Sequence, residues 1–351
     1  MATGLALGLF ILLLFLLSLG IWVAPALIAI GYILLEFFTP APVGSLLAST
    51  IWDASWNWAL TALPLFIWMG EILFRTRLSS DMFKGLSPML SRLPGGLLHV
   101  NVVGCGIMAA VAGSSAVTCA TIGRMSIPEL TKRKYDETLS IGSLAGSGTL
   151  GLLIPPSIML IVYGVLAQQS ISRLFIAGVL PGIMIILIFM TYIAIRAKLN
   201  PSLAPKEKNN YSFLEKLIAG RHLFPVVGLI VCVLGSIYGG YATPTEAATI
   251  GVCGALLLAW LTKTLTLKSF FDSLMGAVKT SCMINFIIVG AAFLSVAMGY
   301  TGIPKQLGEI VNQYELSQIS LLIILTILYI FLGCFLEGTS MMVLTASVVL
   351  P

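Results

Sequence analysis

The sequence predicts an all-α polytopic membrane protein, and three observations lead to this fold class. Hydrophobic residues make up 58% of the 351 positions, charged residues only 9%, and the mean hydropathy is +1.03. A soluble domain carries about 25% charged residues, so most of this surface is predicted to face lipid. Apolar runs of about 20 residues, the length that crosses a bilayer as a helix, recur along the chain. Two further apolar segments have the wrong length for a single straight crossing.

Seven runs fit a complete crossing, and no segment between them is long enough for a separate soluble domain. The first run has no basic residues before it, so it is predicted to be a retained helix rather than a cleaved signal peptide. The predicted crossings are 4–20, 23–38, 55–74, 173–195, 222–240, 243–262 and 276–300.

The first exceptional segment, 95–131, predicts a re-entrant helical hairpin. Its apolar run is interrupted at Gly113-Ser114-Ser115, and the part after the interruption reaches only to Pro128 and the basic cluster that follows. An apolar stretch of about 10–14 residues is more typical of a re-entrant segment than of a crossing. The tip of the hairpin is predicted at Gly113–Ser115.

The second exceptional segment, 137–168, predicts a transmembrane helix that is broken near its middle. It is too long for one straight crossing at about 1.5 Å per residue. Its centre carries a Gly-rich run and the sequence Gly151-Leu-Leu-Ile-Pro155-Pro156. Two prolines remove two backbone donors, and the second disfavours helical geometry at the first. Unwound backbone at this depth is tolerated only where it is buried in protein or lines a cavity.

The basic residues support the hairpin. On this map seventeen of the nineteen Lys and Arg residues lie on one side, within 75–136, 196–221 and 263–279, and only Arg173 and Lys305 lie on the other. Such an asymmetry is typical of cytoplasmic loops and predicts a periplasmic N-terminus. If the hairpin were counted as one more crossing, the basic segments 75–93 and 196–221 would lie on opposite sides of the membrane. The charge asymmetry therefore favours the hairpin.

An internal repeat is indicated by the order of features in the two halves. In each half a crossing ends near a Met-Gly pair, Met69-Gly70 in the first half and Met298-Gly299 in the second. A short amphipathic stretch follows, and then an apolar run that ends in a turn of glycine and hydroxyl-bearing residues. Five crossing steps separate the copies, so the second is predicted to be inverted, which is a transporter architecture. The apolar residues of the stretches are Met82, Phe83, Leu86, Met89 and Leu90 in the first copy and Ile303, Leu307, Ile310 and Val311 in the second; the tips are Gly113–Ser115 and Gly338-Thr339-Ser340.

Three motifs resemble the large membrane subunit of tripartite ATP-independent periplasmic (TRAP) transporters. They are the run Gly-Gly-Tyr-Ala-Thr-Pro-Thr-Glu-Ala-Ala at 239–248, the tip at 113–115 and the segment 151–157. The resemblance implies a sodium-coupled, elevator-type importer of organic acids of the C4-dicarboxylate, sialic acid or keto acid type. It implies a periplasmic substrate-binding protein and a small four-helix membrane subunit as partners in the bacterial or archaeal inner membrane, and no organic cofactor or nucleic acid.

The resemblance also assigns roles to the segments and leads us to expect a C-terminally truncated chain, because the family's second half continues beyond a second hairpin. The segments are 1–94 (scaffold helices and first interfacial arm helix), 95–195 (first half of the transport domain, with hairpin 95–131, broken helix 137–168 and helix 173–195), 196–221 (cytoplasmic loop), 222–315 (second-repeat scaffold and arm helices) and 316–351 (incomplete second hairpin).

Two groups of oxygen donors are candidate Na⁺ ligands. The first combines the hydroxyls of Ser114, Ser115 and Thr118 with the carbonyls of Gly151, Ile154 and Pro156, because Na⁺ is a hard cation that prefers oxygen. Small residues at these positions could instead serve close helix packing. Gly338, Thr339 and Ser340 form a partial second site by symmetry, and the neighbouring Glu337 stays unassigned.

Glu246 has a local explanation that needs no ligand. With Thr243 as N-cap and Pro244 at the first helical position, Glu246 completes a capping box.

Other functions are less well supported by the sequence. A one-component Na⁺/dicarboxylate or anion symporter of related fold is the alternative within transport. An intramembrane protease would need paired Asp, Ser–His or HExxH residues, which the sequence lacks, and no GxxxxGK[ST] phosphate loop is present. A purely structural membrane protein would have little use for an inverted repeat with broken helices. We therefore expect a transporter and not an enzyme.

Overall fold

The computed structural model describes residues 2–76, 78–205, 212–313, 317–334 and 336–349, and every regular element in these ranges is a helix, as the sequence predicts. Short 3-10 helices lie at Trp58–Thr61 and Thr149–Leu152. The α-helices are α1 (Ala2–Ser18), α2 (Val23–Phe38), α3 (Val43–Ser55), α4 (Ala62–Phe74), α5 (Leu78–Leu90), α6 (Leu98–Ala112), α7 (Ser115–Lys132), α8 (Glu137–Gly148), α9 (Ile158–Leu166), α10 (Ile171–Leu199), α11 (Phe213–Gly220), α12 (Phe224–Tyr238), α13 (Pro244–Leu261), α14 (Leu267–Thr301), α15 (Ile303–Gln313), α16 (Gln318–Gly333) and α17 (Gly338–Val349).

Several of these helices suit a membrane. In the described part of the chain, α10, α13 and α14 are each long and apolar enough to cross a bilayer, and two bent helix pairs raise that number to five. The pairs are α3 with the segment 58–74, and α11 with α12, bent by 56° and 55°. Helices α1, α2, α6 and α16 are apolar but shorter. The long helix α10 exposes apolar side chains such as Leu180 and Leu187 along most of its length, as a lipid-facing helix does.

Two predicted crossings have different limits in the structure. The crossing predicted at 55–74 is preceded by α3, which ends at Ser55, and the chain bends before it continues at Trp58. Helix α3 contains Gly, Ser and Thr, which lower its hydropathy below that of a crossing. Helix α14 begins at Leu267, nine residues before the predicted start, because Lys268 and Asp272 interrupt the apolar pattern without breaking the helix.

The chain forms two compact units. The larger unit contains residues 59–164 and 169–281, and its core includes a cluster of buried side chains from α5, α6, α7 and α10. Leu98, Leu130 and Ile193 belong to this cluster. The hydroxyl of Tyr135, just after α7, accepts a hydrogen bond of 3.4 Å from the amide of Leu97, just before α6. This core therefore joins the two ends of the predicted hairpin.

The smaller unit contains residues 1–58, 165–168 and 282–351. Helices α2 and α14 approach closely within it: a Cβ atom on Gly290 would lie 2.9 Å from the carbonyl oxygen of Ala24. Small residues that allow such an approach are typical of helix contacts in membranes. The amphipathic helices predicted in both halves are present as α5 and α15, but the side chains of Leu307, Ile310 and Val311 lie outside the described residues, as do parts of 196–221 and 316–351.

Candidate ion site at a hairpin tip and a broken helix

The interruption at 113–115 is a tight turn between two helices. Helix α6 ends at Ala112, and its C-cap residue Gly113 has a φ of +59°, which favours glycine. The Gly113 amide donates to the carbonyl oxygen of Ala109. Ser114 is extended and begins α7 as its N-cap residue, yet its hydroxyl makes no capping hydrogen bond. The side chains of Ser114 and Ser115 are half-buried. The turn therefore presents two hydroxyls close to the first amides of α7.

The break in the second segment leaves backbone carbonyls without donors. Helix α8 continues as the 3-10 helix at 149–152, and the next helix, α9, begins only at Ile158. A cis peptide bond joins Pro155 to Pro156, and the Ser157 hydroxyl donates to the carbonyl oxygen of Leu152 at 2.8 Å. Within the described part of the chain, the carbonyl oxygens of Gly151 and of residues 153–156 accept no hydrogen bond. All three predicted carbonyl ligands are among them.

The tip and the break are in direct contact. A Cβ atom on Gly151 would lie 2.9 Å from the carbonyl carbon of Ser114 and 3.0 Å from the amide nitrogen of Ser115. A Cβ atom on Gly113 would lie 3.3 Å from the carbonyl oxygen of Pro156. These distances leave no room for a side chain, so the structure brings together Ser114, Ser115, Gly151 and Pro156.

Thr118 lies one turn into α7, and its side chain is fully buried, with 0% of its surface exposed. Among the described residues its hydroxyl has no hydrogen-bond partner. The neighbouring Thr121 hydroxyl, in contrast, donates to the carbonyl oxygen of Val117 at 2.7 Å. An unsatisfied buried hydroxyl costs about 1–3 kcal/mol, which a bound cation would offset. Thr118 is therefore the strongest single indication of a ligand at this tip.

The side chain of Ile154 has a packing role in addition to its free carbonyl. A Cβ atom on Gly182 of α10 would lie 2.8 Å from Cγ1 of Ile154, and a Cβ atom on Gly106 of α6 would lie 3.7 Å from its Cδ1. The Ile154 side chain thus lies in the space that these two glycines leave between α6 and α10.

Asn101 supports the site and was not identified from the sequence. It is completely buried on α6, and its amide nitrogen donates to the Ser143 hydroxyl at 3.0 Å and to the Ser140 carbonyl oxygen at 3.4 Å. These bonds connect the first helix of the hairpin to the first half of the broken helix. An Asn inside an apolar run is itself a signal for such a role, because polar groups in a membrane helix need partners.

The second predicted tip also separates two helices. Helix α16 ends at Gly333 and α17 begins at Gly338, where the side chains of Thr339 and Ser340 are buried, with 8% and 7% exposed. The hydroxyls of Tyr329 and Thr345 lie 2.8 Å apart and connect the two helices. Glu337 is exposed, and its carbonyl oxygen accepts from the amide of Met341.

The capping box predicted at Thr243 is confirmed. The Glu246 carboxylate accepts hydrogen bonds of 2.8 Å from the amide and from the hydroxyl of Thr243, and the Glu246 amide donates to the Thr243 hydroxyl oxygen at 3.4 Å. The Thr-Pro-Thr-Glu run thus starts α13, and Glu246 has partners without any ligand.

Comparisons with known proteins give a consistent result. The model of the family described as tripartite ATP-independent periplasmic transporter, DctM component, matches residues 10–351. The C4-dicarboxylate TRAP transporter large permease protein DctM of Pseudomonas aeruginosa is 30% identical over 324 residues, which cover 92% of this chain and 74% of that protein. The protein of the same name from Rhodobacter capsulatus is 31% identical over 347 residues, covering 93% and 78%. The sialic acid TRAP transporter large permease protein SiaM of Vibrio cholerae is 28% identical over 299 residues, covering 84% and 69%. These relatives are transporter permease subunits and not enzymes.

Proposed function

Because the chain belongs to the DctM family of tripartite ATP-independent periplasmic transporters and is a large membrane subunit of that type, we propose that it imports an organic acid by sodium symport. The observation that carries the sodium coupling is the unsatisfied, fully buried hydroxyl of Thr118 beside a break with donor-free carbonyls. Hydroxyl and carbonyl oxygens are the ligands that a hard cation prefers. The proposed ion site consists of Ser114, Ser115 and Thr118 with the carbonyls of Gly151, Ile154 and Pro156, and Thr339 and Ser340 would contribute to a second site.

The same tip offers a place for a carboxylate. The first amides of α7 have no partner within the helix, and the N-terminal end of a helix carries a partial positive charge. An anionic group is stabilised there, whereas a cation is stabilised by the carbonyls of the break. A bound Na⁺ would therefore strengthen carboxylate binding through mutual attraction. The relatives named for C4-dicarboxylates and for sialic acid support an organic acid as the substrate class.

The proposed transporter needs two partners, a periplasmic substrate-binding protein and a small membrane subunit. The family description, which names a tripartite periplasmic transporter, supports this composition. TRAP permeases are inner-membrane proteins, and the apolar helices suit that location. We place the N-terminus in the periplasm, because this orientation puts most Lys and Arg residues in the cytoplasm. We further propose that the hairpins and the broken helix move together against the remaining helices, as an elevator.

Uptake by the complete assembly tests the proposal. This chain, its small subunit and its binding protein would be reconstituted in vesicles, with labelled succinate and sialic acid as probes. We expect inward sodium gradients to drive uptake, replacement of Na⁺ by choline to abolish it, and ATP to have no effect. Uptake of the same size without Na⁺ would contradict the coupling. Transport of neither probe under a sodium gradient, in an assembly that binds them, would contradict the substrate class.

A further inference from the structure

A groove on the larger unit is not explained by ion or substrate transport. It has a volume of about 550 Å³ and lies between α8 and α10. Its apolar lining residues are Leu139, Gly142 and Gly146 on α8 and Phe189 and Ile193 on α10, and Thr138, Ser143 and Tyr192 also line it. Each set follows a spacing of three or four residues and therefore occupies one face of its helix. Each helix thus contributes an apolar stripe to the groove, beside the hydroxyl groups of Thr138, Ser143 and Tyr192.

Glycines keep this groove open. A Cβ atom on Gly142 would meet no atom within 4 Å, and one on Gly146 would contact only the ring of Phe189 at 3.4 Å. A side chain at position 142 would therefore begin in open space beside the groove. The missing side chain leaves space that an apolar chain from outside could fill.

Two opposite charges lie at one end of the groove. Arg196 has no ion-pair partner among the residues that the structure describes, and Asp136 lies across the groove from it. One carboxylate oxygen of Asp136 accepts a 2.7 Å hydrogen bond from the amide of Leu139, which makes Asp136 the N-cap of α8. The Asp136 amide donates to the carbonyl oxygen of Leu203, so the chain after α10 closes this end. The Arg196 guanidinium and the Asp136 carboxylate do not form an ion pair with each other.

We place this charged end at the boundary between membrane and water. Helix α10 has 29 residues, and Arg196 belongs to its last turn. A crossing of about 20 residues that fills the apolar part of α10 leaves Arg196 at the interface. The two apolar stripes then run from the interface into the hydrocarbon layer, where the acyl chain of a phospholipid would lie.

We propose that this groove binds a zwitterionic phospholipid with a primary ammonium head group, such as phosphatidylethanolamine. Its phosphate would pair with Arg196, its ammonium with Asp136, and one acyl chain would lie along Ile193 and Phe189 across Gly142. The Asp136 carboxylate disfavours a lipid with a net negative charge, because it repels a second negative group in the same groove. A choline head group matches the charge but cannot donate a hydrogen bond to the carboxylate.

The proposal is tested by the lipid that the protein retains. The purified chain would be incorporated into discs of equal parts phosphatidylethanolamine, phosphatidylglycerol and phosphatidylcholine, re-extracted in mild detergent, and its bound lipids quantified by mass spectrometry. We expect at least fivefold enrichment of phosphatidylethanolamine over the other two. Arg196→Gln should lower the retained amount at least fivefold. Asp136→Asn keeps a good N-cap residue and should remove the preference over phosphatidylglycerol.

Two further variants distinguish lipid binding in the groove from general effects of charge and of stability. Lys198→Gln removes a charge from the same end of α10 but outside the groove, and should leave lipid retention unchanged. Gly142→Leu adds a side chain whose Cβ meets no atom within 4 Å, and it should block the groove and abolish retention while the melting temperature stays within a few degrees of wild type. Equal retention of the three lipids, retention by Gly142→Leu, or equal losses for Arg196→Gln and Lys198→Gln would each overturn the proposal. If a protein segment and not a lipid occupies the groove, none of the three lipids will be enriched, and this result also overturns the proposal.

Discussion

Replacing Thr118 by Val gives the sharpest test of the ion site, because two quantities should change in opposite directions. Valine has nearly the same shape as threonine and is also β-branched, so the change removes little except the hydroxyl. That hydroxyl is fully buried and has no partner among the described residues. On the proposed function, this hydroxyl destabilises the sodium-free protein and becomes a ligand when sodium binds.

The expected changes in stability and in sodium affinity follow from these two roles. Removing an unsatisfied buried hydroxyl should raise the sodium-free stability by about 1–2 kcal/mol. Losing one oxygen ligand should weaken sodium binding tenfold or more, which is about 1.4 kcal/mol. At a sodium concentration 100 times the wild-type dissociation constant, the ion stabilises wild type by about 2.7 kcal/mol, but a tenfold weaker site by only about 1.4 kcal/mol.

Thermal unfolding of the purified chain, monitored across a sodium titration with choline as the balancing ion, measures both quantities without transport. Two controls are available on the same helix. Ser126→Ala removes another buried hydroxyl that has no partner in the described part of the chain, and should stabilise without changing the sodium response. Thr121→Val removes a hydroxyl that is already hydrogen-bonded within α7, and should leave the sodium response unchanged.

Two results would refute the reasoning for Thr118. A Thr118→Val protein with an unchanged sodium titration would remove this hydroxyl from the site. A loss of sodium-free stability would show that the hydroxyl has a partner, and that the packing interpretation of this small residue is the better one.

Three further predictions concern the tip, the topology and the capping box. Gly151→Ala places a methyl group 2.9 Å from the Ser114 carbonyl carbon and should weaken the stabilisation by sodium. Gly142→Ala places its methyl group in open space and should leave that stabilisation unchanged. Equal sodium titrations for the two variants would contradict the contact between Gly151 and the hairpin tip. A cysteine at Lys134 in a cysteine-free chain should react with impermeant maleimide only from the cytoplasmic side, and periplasmic labelling would refute the hairpin. Thr243→Ala should cost about 1 kcal/mol of stability with an unchanged sodium titration; a weaker sodium response would assign a ligand role to the capping box.

Sequence reasoning located the features that depend on local chemistry. The interruption at Gly113 and Ser114, the break before Pro155 and the capping box at Thr243 all arise from the conformational preferences of a few neighbouring residues. Such preferences act within one turn of helix, so they can be read from a single sequence. The inversion of the repeat and the membrane orientation stay predictions, since both depend on the path of the chain through a membrane.

Features that depend on packing could not be predicted in the same way. Nothing in the sequence indicates that the Thr118 hydroxyl lacks a partner while that of Thr121 bonds to its own helix. The hydrogen bonds of Asn101 to α8 require two segments to pack in one register. Helix α3 was missed because a search for long apolar runs ignores helices interrupted by Gly, Ser and Thr.

The close packing at the tip bears on how the proposed transporter would move. Gly148 has no room for a side chain beside Cys119, where a Cβ atom would lie 2.9 Å from the cysteine Cβ, and Gly151 has none beside Ser114. Opening a gap between the hairpin and the broken helix would break these contacts and the Asn101 hydrogen bonds together, and would separate the proposed ion ligands. A movement of both segments as one body keeps all of them. The packing therefore opposes a gate that opens between the hairpin and the broken helix, because close-packed contacts are lost as a group rather than stretched gradually.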